Sequence, residues 1–312
     1  MAEKEGKLVP NTDSCVFEGT SGSTGISVCM VAKAKGYKVF IVMPNDVASE
    51  KKTILESMGA TVEMVRPCSI VESENYVRVA ERRALEYNSE DGNGTSKKGY
   101  FLDQFENPHN FMAHYKHTGP EILVQTGGKI DAFVHGSGTG GTIAGVTLFL
   151  KPRIPHLKVF LADPYGSGNA NKVNYGVMFS QTEKEGTRRR YQTDTLVEGV
   201  GLNRLTSNFA RLFRKGSRSH GCGVNGAYTI DDQATIWMSR YIMENDGLFL
   251  GSSSALNLVA TVKVAKLLGP GATILTILCD SGQRHLTKFW NNDLLQSKGF
   301  DVSIPTSLDV FL

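Results

Sequence analysis

The chain has 312 residues, of which 40% are hydrophobic and 21% charged, and this is the composition of a globular protein long enough for two domains. A net charge of +3 is too small to indicate a protein that binds nucleic acid or a membrane surface. The five cysteines are scattered without a C-x-x-C pair, which argues against a disulfide framework or a metal site and fits a reducing compartment. No apolar run approaches the ~20 residues of a membrane span, and no signal-peptide pattern is visible. We therefore expect an intracellular protein, cytoplasmic or mitochondrial, with no metal site.

Residues 2–10 are typical of the end of a helix, because Gly6 follows the last turn and Pro10 lies beyond it. From Cys15 onward, runs with strand and helix patterns alternate. The first third of the chain contains strand patterns at residues 14–17, 38–43, 61–65 and 100–102, and helix patterns at residues 26–35, 49–58 and 71–87.

The same alternation continues toward the carboxyl terminus. Strand patterns are found at residues 130–134, 158–162, 248–250 and 274–279, and helix patterns begin near Asn110 and Thr142 and cover residues 231–245 and 254–268. Strands that alternate with helices predict an α/β fold of mainly parallel, twisted sheets flanked by helices, with ligands outside the carboxyl ends of the strands. We predict two domains, a smaller one at residues 1–108 and a larger one at residues 109–312.

The most informative segment is the glycine loop, residues 136–142, which follows an apolar strand and opens a helix. Helix N-termini have backbone N–H groups without a partner, and the helix dipole favours an anion there. Glycines let the backbone approach a ligand closely. The segment therefore predicts a phosphate site. Its G-x-G-x-x-G spacing, with Asp163 after the next strand, is equally compatible with a dinucleotide such as NAD, so a dehydrogenase is one alternative.

A second strand-to-helix turn, the hydroxyl loop at residues 20–25, contains four Ser or Thr residues in six positions. A plain helix N-cap needs one hydroxyl, so four favour a small carboxylate bound at close range. A third element is Ser281, which follows the last apolar strand. A neutral hydroxyl there could bond a ring nitrogen without forcing that nitrogen to stay protonated. Taken alone, the segment is equally compatible with a plain turn.

Together these segments resemble the cysteine synthases (O-acetylserine sulfhydrylases) and cystathionine β-synthases. Thr20-Ser21-Gly22-Ser23-Thr24-Gly25 resembles the family's T-S-G-N-T-G loop, and the glycine loop is similar to the segment that holds the phosphate of pyridoxal 5′-phosphate. Further similar segments are residues 104–108, residues 118–122, the G-S-S-S run at residues 251–254 and the D-S-G-Q-R run at residues 280–284.

The resemblance implies a tryptophan synthase β-like fold, pyridoxal-phosphate fold type II, and a transferase or lyase that uses this cofactor. The implied reaction is β-replacement on O-acetylserine or a related serine derivative, with sulfide as acceptor and L-cysteine as product. The residues implied to bind the cofactor are Ser23, Gly138, Thr139, Gly140, Gly141, Thr142 and Ser281. Those implied to bind the substrate carboxylate, on the smaller domain, are Thr20, Ser21, Gly22, Thr24 and Gln104. A homodimer is also implied.

Two features depart from the family pattern. The family's Schiff-base lysine belongs to a segment that would precede Ala2, so we expect an N-terminally incomplete fold, and no residue of this chain is assigned a catalytic role. Ser23 stands where the common motif has Asn, and a hydroxyl reaches less far than an amide. A non-catalytic relative that binds pyridoxal phosphate or an amino acid is therefore a second alternative.

Overall fold

The chain divides into two units, Met1–Gln104 and Phe105–Leu312, so that the division falls slightly before the boundary predicted at residue 108. A computed structural model describes residues 2–89, 98–180, 195–213 and 223–312. Each unit is built on a four-stranded sheet in which every pair of neighbouring strands is parallel. The expected α/β class is therefore confirmed. None of the described helices is both long enough and apolar enough to cross a bilayer.

The sheet of the first unit has the strand order β3-β2-β1-β4. Its strands are β1 (Cys15–Gly19), β2 (Lys38–Pro44), β3 (Thr61–Val65) and β4 (Gly99–Phe101), and its helices are α1 (Ser23–Ala34), α2 (Ser49–Ser57) and α3 (Tyr76–Ser89). Alternate residues of β2 point to opposite faces, so Ile41 and Met43 pack in the same cluster as α1 and α2. On the other face, Phe17 packs with Ala84 of α3. Both faces are therefore covered, as a parallel sheet requires.

Residues 2–8 form the predicted helix end. The N–H of Lys7 donates to the carbonyl of Ala2 (2.8 Å), and the N–H of Gly6 donates to the carbonyl of Glu3 (3.1 Å). Gly6 has a φ of 67°. This pair of bonds around a left-handed glycine is the Schellman motif that closes helices.

The sheet of the second unit has the strand order β7-β6-β5-β8. Its strands are β5 (Ala132–Gly136), β6 (Lys158–Pro164), β7 (Gly226–Ile230) and β8 (Ile274–Thr276). Its helices are α4 (His109–Ala113), a π-helical turn at His114–Thr118, α5 (Gly119–Thr126), α6 (Gly141–Leu150), α7 (Asn169–Tyr175), α8 (Ser207–Ala210), α9 (Asp232–Asp246), α10 (Ser252–Leu268) and α11 (Asn292–Ser297). Since the chain proceeds from β5 to β6 on one side while β8 pairs with β5 on the other, the order reverses between β5 and β8. Ligands of open α/β sheets bind at such a reversal.

Two predicted elements were wrong in type or extent, and one strand was missed. Residues 248–250 form no strand, because they fill the short interval between α9 and α10 and only Leu250 makes a bridge, with Ser281. The strand β7 was missed, since it is short and opens with Gly226. The helix predicted from residue 71 begins at Tyr76, because Asn75 accepts a hydrogen bond from the N–H of Val77 (3.0 Å) and so caps it.

Candidate functional site

The glycine loop joins β5 to α6 at the carboxyl edge of the second unit's sheet. β5 ends at Gly136, and α6 begins at Gly141, one residue before the predicted start. Gly140 is the N-cap of α6 and is left-handed, with φ 80° and ψ −3°. Glycine adopts this conformation at little cost, so Gly140 turns the chain from the loop into the helix.

The loop presents backbone donors that are not used by any of the residues that the structure describes. Among the described residues, the N–H groups of Gly138, Thr139, Gly140 and Thr142 have no acceptor, whereas the N–H of Gly141 donates to Thr139 Oγ1 (3.3 Å). These donors lie at the N-terminus of a helix of 10 residues, whose dipole adds to their attraction for an anion. The arrangement fits the oxygens of a phosphate group.

Hydrogen bonds from outside the loop fix its shape. The Asn110 amide donates to Thr139 Oγ1 (2.9 Å), and the Thr206 hydroxyl donates to the Thr139 carbonyl (2.7 Å). The N–H of Gly201 donates to the carbonyl of Ser137 (2.9 Å). Because these contacts use the loop's side chain and carbonyls, they leave its N–H groups available to a ligand.

Close packing also makes glycine necessary in the loop. A Cβ atom on Gly138 would overlap the carbonyl oxygen of Gly199, and one on Gly140 would overlap Cβ and backbone atoms of Phe209. The loop thus lies directly against a neighbouring backbone and has no space for larger residues.

The first turn of α6 rests on a neutral imidazole. His114 Nε2 lies 3.2 Å from Thr142 Oγ1, and His114 Nδ1 lies 3.0 Å from Thr118 Oγ1. Burial lowers the pKa of His114, which favours the uncharged ring. One hydroxyl therefore donates to the ring and the other accepts from it, which holds Thr142 in place.

Ser281 lies on the same edge of the sheet as the glycine loop, because β5 and β8 are neighbours and parallel. It follows β8 by a few residues and precedes a short 3₁₀ turn at Gly282–Arg284. The described residues offer its hydroxyl only a long contact, 3.4 Å to Gln283 Oε1. The hydroxyl can therefore turn toward a ligand at little cost.

Two neutral side chains, those of His135 and Cys279, lie in contact shortly before the glycine loop and Ser281 in the chain. His135 Nε2 lies 3.8 Å from Cys279 Sγ. Burial lowers the pKa of His135 to about 4 and raises that of the Cys279 thiol to about 11. A neutral ring and a neutral thiol are the forms present at neutral pH, so neither attracts a charged group into this region.

Asp163, the residue on which the NAD alternative depends, is not available to a ligand. It is fully buried, and its carboxylate accepts a hydrogen bond from the N–H of Ala170 (2.7 Å). Burial raises its pKa to about 7. Its contact is with the start of α7, so it does not fit the ribose-binding role of a dinucleotide site.

The hydroxyl loop has the same strand-to-helix plan in the first unit. β1 ends at Gly19, α1 begins at Ser23, and Gly22 between them has φ 128°. Within the described part of the chain, the N–H groups of Ser21, Ser23 and Thr24 have no acceptor. The loop therefore presents backbone donors that suit an anion.

Gln104 lies beside this loop. The Thr24 hydroxyl donates to Gln104 Oε1 (2.7 Å), and Gln104 Nε2 donates to the Gly19 carbonyl (2.7 Å). Thr20 is buried, and its hydroxyl accepts from the N–H of Gly22 (3.1 Å). These bonds fix the orientation of the amide relative to the loop, although the two segments are far apart in sequence.

A buried carboxyl group lies beneath this arrangement. Glu18 is fully buried, and its Oε2 accepts from the backbone N–H of Gln104 (3.3 Å). Its other oxygen, Oε1, has no hydrogen-bond partner among the described residues. Burial raises the pKa of Glu18 to about 8, so the carboxyl is protonated at neutral pH.

The structure thus groups the predicted residues into two sets, each within its own unit. The first unit's set is Thr20, Ser21, Gly22, Ser23, Thr24 and Gln104, and the second unit's set is Gly138, Thr139, Gly140, Gly141, Thr142 and Ser281. Supporting residues that the sequence did not reveal include Glu18, Asn110 and Thr206. A lone Glu, Asn or Thr gives no periodic or motif signal, so only the three-dimensional contacts reveal these residues.

Comparison with known proteins agrees with this geometry. Residues 1–280 match the family described as pyridoxal-phosphate dependent enzyme. Cysteine synthase 2 of Schizosaccharomyces pombe is 49% identical over 308 residues, which cover 99% of this chain and 75% of that protein. Cysteine synthase 2 of Emericella nidulans is 51% identical over 297 residues, which cover 93% of this chain and 68% of that protein.

A solved structure shows the same fold. The crystal structure of an O-acetylserine dependent cystathionine β-synthase from Helicobacter pylori superposes with a TM-score of 0.71 at 29% sequence identity, covering 92% of this chain and 80% of that one. The two parallel sheets flanked by helices are those of the tryptophan synthase β-like, type II pyridoxal-phosphate fold. Because the family match and the two cysteine synthases each span nearly the whole chain, this chain belongs to the family of pyridoxal-phosphate dependent enzymes.

Proposed function

We propose that the protein acts as a cysteine synthase, replacing the β-substituent of O-acetylserine or a related serine derivative with sulfide to give L-cysteine. The observation that carries the proposal is the pair of anion loops, one in each unit, in a chain that is about half identical to two cysteine synthases. When bound, pyridoxal 5′-phosphate supplies the electron sink for elimination and addition at the substrate's α and β carbons.

The chain's own residues would hold two different groups. The free N–H groups of Gly138, Thr139, Gly140 and Thr142 suit the cofactor phosphate, and the Ser281 hydroxyl suits the pyridine nitrogen. A neutral hydroxyl at that nitrogen fits β-replacement, which needs a less complete electron sink than transamination. In the hydroxyl loop, the donors of Ser21, Ser23 and Thr24 and the oriented amide of Gln104 suit the substrate carboxylate.

Three finer proposals follow from the resemblance. Ser23 contributes to the cofactor site through a hydroxyl, where the common motif has an amide. The protein is a homodimer, which sedimentation velocity over a range of concentrations would test. It works inside the cell, in the cytoplasm or the mitochondrion, which agrees with its scattered cysteines.

A titration with pyridoxal 5′-phosphate, followed by absorbance and fluorescence, tests the proposed function. We expect saturable binding that inorganic phosphate competes for. Cysteine production from O-acetylserine and sulfide is expected only of a protein that also carries the family's Schiff-base lysine, a role assigned to no residue of this chain. A protein that carries this lysine and binds the cofactor without turnover would support the non-catalytic alternative. Binding of NAD with no binding of pyridoxal phosphate would overturn both.

A further inference from the structure

The two strands that lead to the proposed cofactor contacts separate at a defined point. β5 and β8 are paired at Ala132–Ile274, Phe133–Leu275 and Val134–Thr276, and this register ends at Thr276. Beyond it, β5 continues to Gly136 and the glycine loop, while the segment that follows β8 continues to Ser281. Backbone groups at such a separation lose their ladder partners, and buried groups of this kind need a substitute.

Asn257 of α10 supplies that substitute. Its Oδ1 accepts from the N–H of Gly136 (2.8 Å), and its Nδ2 donates to the carbonyl of Ile277 (3.1 Å). A primary amide is suited to this position, because it offers an acceptor and a donor side by side. The neighbouring Ser254, also on α10, accepts from the N–H of Cys279 (2.8 Å).

The position of Asn257 is otherwise that of an apolar core residue. It is fully buried, and its helix neighbours Leu256, Val259 and Ala260 are fully buried and belong to the hydrophobic core. A polar side chain is costly there unless its hydrogen bonds are made. Both of its strand contacts lie where the two strands diverge, so the amide connects the two strand ends.

We infer that Asn257 is a positioning residue that sets the separation between the glycine loop and Ser281, so that one pyridine phosphate reaches both. This inference rests on the proposed function for the identity of the ligand. Asn257 itself donates to and accepts from the backbone of the two strands, and it acts on the ligand only through the segments it connects.

Amide hydrogen exchange measures the connection without any cofactor. We expect Asn257→Ala to speed exchange in the peptides that cover residues 134–140 and residues 277–282. Asn257→Ser should do the same, since a hydroxyl is too short to bond both strands, and it keeps the test available if the alanine variant fails to fold. The matched control is Asn174→Ala, because Asn174 also bonds a strand through both amide atoms, at Ala227 (2.9 and 3.0 Å). Unchanged exchange in both peptides, or faster exchange in only one of them, would overturn the inference.

Ligand binding then measures the consequence for the site. Pyridoxal 5′-phosphate contacts both segments, whereas inorganic phosphate needs only the glycine loop. We expect the Asn257 variants to bind pyridoxal phosphate about tenfold more weakly than the parent protein, because one of two aligned contacts is lost. Their affinity for inorganic phosphate should stay within about twofold of that of the parent. Equal losses for both ligands would mean a collapsed loop and would overturn the positioning role. If the parent protein binds phosphate but no pyridoxal phosphate, the proposed function fails, and the exchange experiment still decides whether Asn257 connects the strands.

Discussion

Both anion loops run from the carboxyl end of a buried strand into a helix, yet only the glycine loop has glycines packed against the backbone of another segment. A Cβ atom added to Gly138 or Gly140 of the glycine loop would overlap backbone atoms of another segment. A Cβ atom added to Gly22 or Gly25 of the hydroxyl loop would approach side chains, namely those of Lys51, Thr20 and Leu55. Side chains can change rotamer, whereas a packed backbone cannot move without its whole segment.

The groups that support the two loops also differ in whether they titrate near neutral pH. The glycine loop is fixed by neutral groups that do not titrate near pH 7, among them Asn110 and Thr206. The hydroxyl loop lies over Glu18, a buried carboxyl whose raised pKa of about 8 is within the physiological range. A change of pH around 8 should therefore alter the support of the hydroxyl loop more than that of the glycine loop.

The largest effect is expected from Gly140→Ala, which tests whether the glycine loop is packed against a neighbouring backbone. The variant adds a Cβ against the Phe209 backbone and requires alanine to adopt a φ of 80°. We expect it to lower the free energy of unfolding of the second unit by about 3 kcal/mol or more and to abolish phosphate binding. Denaturant unfolding and a phosphate titration measure the two effects.

Two further alanine variants separate the causes of that loss. Gly247→Ala also requires a left-handed alanine, at φ 68°, but its Cβ meets nothing within 4 Å, so its cost should be about 1 kcal/mol. Gly25→Ala, in the hydroxyl loop, contacts side chains at 3.0 and 3.2 Å and should cost about 1 kcal/mol. Equal destabilisation by Gly140→Ala and Gly25→Ala would show that the two loops are packed alike.

The next effect is the pH dependence of stability that comes from Glu18, the buried carboxyl beside the hydroxyl loop. Glu18 is protonated in the folded state up to about pH 8, but its ordinary pKa is 4.5, so unfolding releases a proton between these values. The free energy of unfolding should therefore fall as the pH rises from about 4.5 to about 8 and then level off. Glu18→Gln should remove this slope. The free energy of unfolding of the variant minus that of the parent should therefore be larger at pH 8 than at pH 4.5, by ~2 kcal/mol or more.

Glu63→Gln is the matched control for this measurement. The Arg83 guanidinium, bonded to Glu63 at 2.9 Å, lowers the pKa of this carboxyl, so its stabilising contribution is present at neutral pH and is lost on acidification through the lowered pKa. The variant should be less stable than the parent at neutral pH and equally stable in acid. If Glu18→Gln behaves like Glu63→Gln, then Glu18 is ionised in the folded protein.

The two glutamates also show how far the sequence could predict this molecule. The fold class and the two loops were predicted because strand and helix periods and clustered glycines or hydroxyls are local patterns, whereas Ser281 was singled out through the family resemblance. Glu18 has no such pattern, since the hydrogen-bond donor to its carboxyl is the backbone N–H of Gln104, which arrives from later in the chain. The boundaries of short elements were equally hard to predict, because β7 and the bridge at Leu250 depend on pairing with distant strands.

A smaller effect, that of Ser281→Ala, tests whether the second unit binds the pyridine ring as well as the phosphate. The Ser281 hydroxyl makes only a long contact with Gln283, so Ser281→Ala should change the free energy of unfolding by less than about 0.5 kcal/mol. One lost hydrogen bond to the pyridine ring should weaken pyridoxal 5′-phosphate binding about fivefold. Inorganic phosphate, which carries no ring, should bind unchanged. Equal affinities of the variant and the parent for pyridoxal phosphate would remove Ser281 from the site.

The smallest effect concerns the one hydrogen bond that joins the hydroxyl of Thr24 to Gln104 (2.7 Å). Thr24→Val keeps the shape of the side chain and removes the donor, so Gln104 should lose one of the two hydrogen bonds that orient its amide. We therefore expect O-acetylserine to bind several-fold more weakly, which corresponds to about 1 kcal/mol. Thr24→Ser restores the donor and should restore the affinity. Thr53→Val is the neutral control, because the Thr53 hydroxyl donates to the Ser49 carbonyl within α2, away from the loop (3.3 Å). If Thr24→Val weakens O-acetylserine binding and Thr24→Ser does not restore it, then packing of the Thr24 methyl group, and not the hydrogen bond, holds this loop. The hydroxyl loop would then resemble the glycine loop, which is also held by packing.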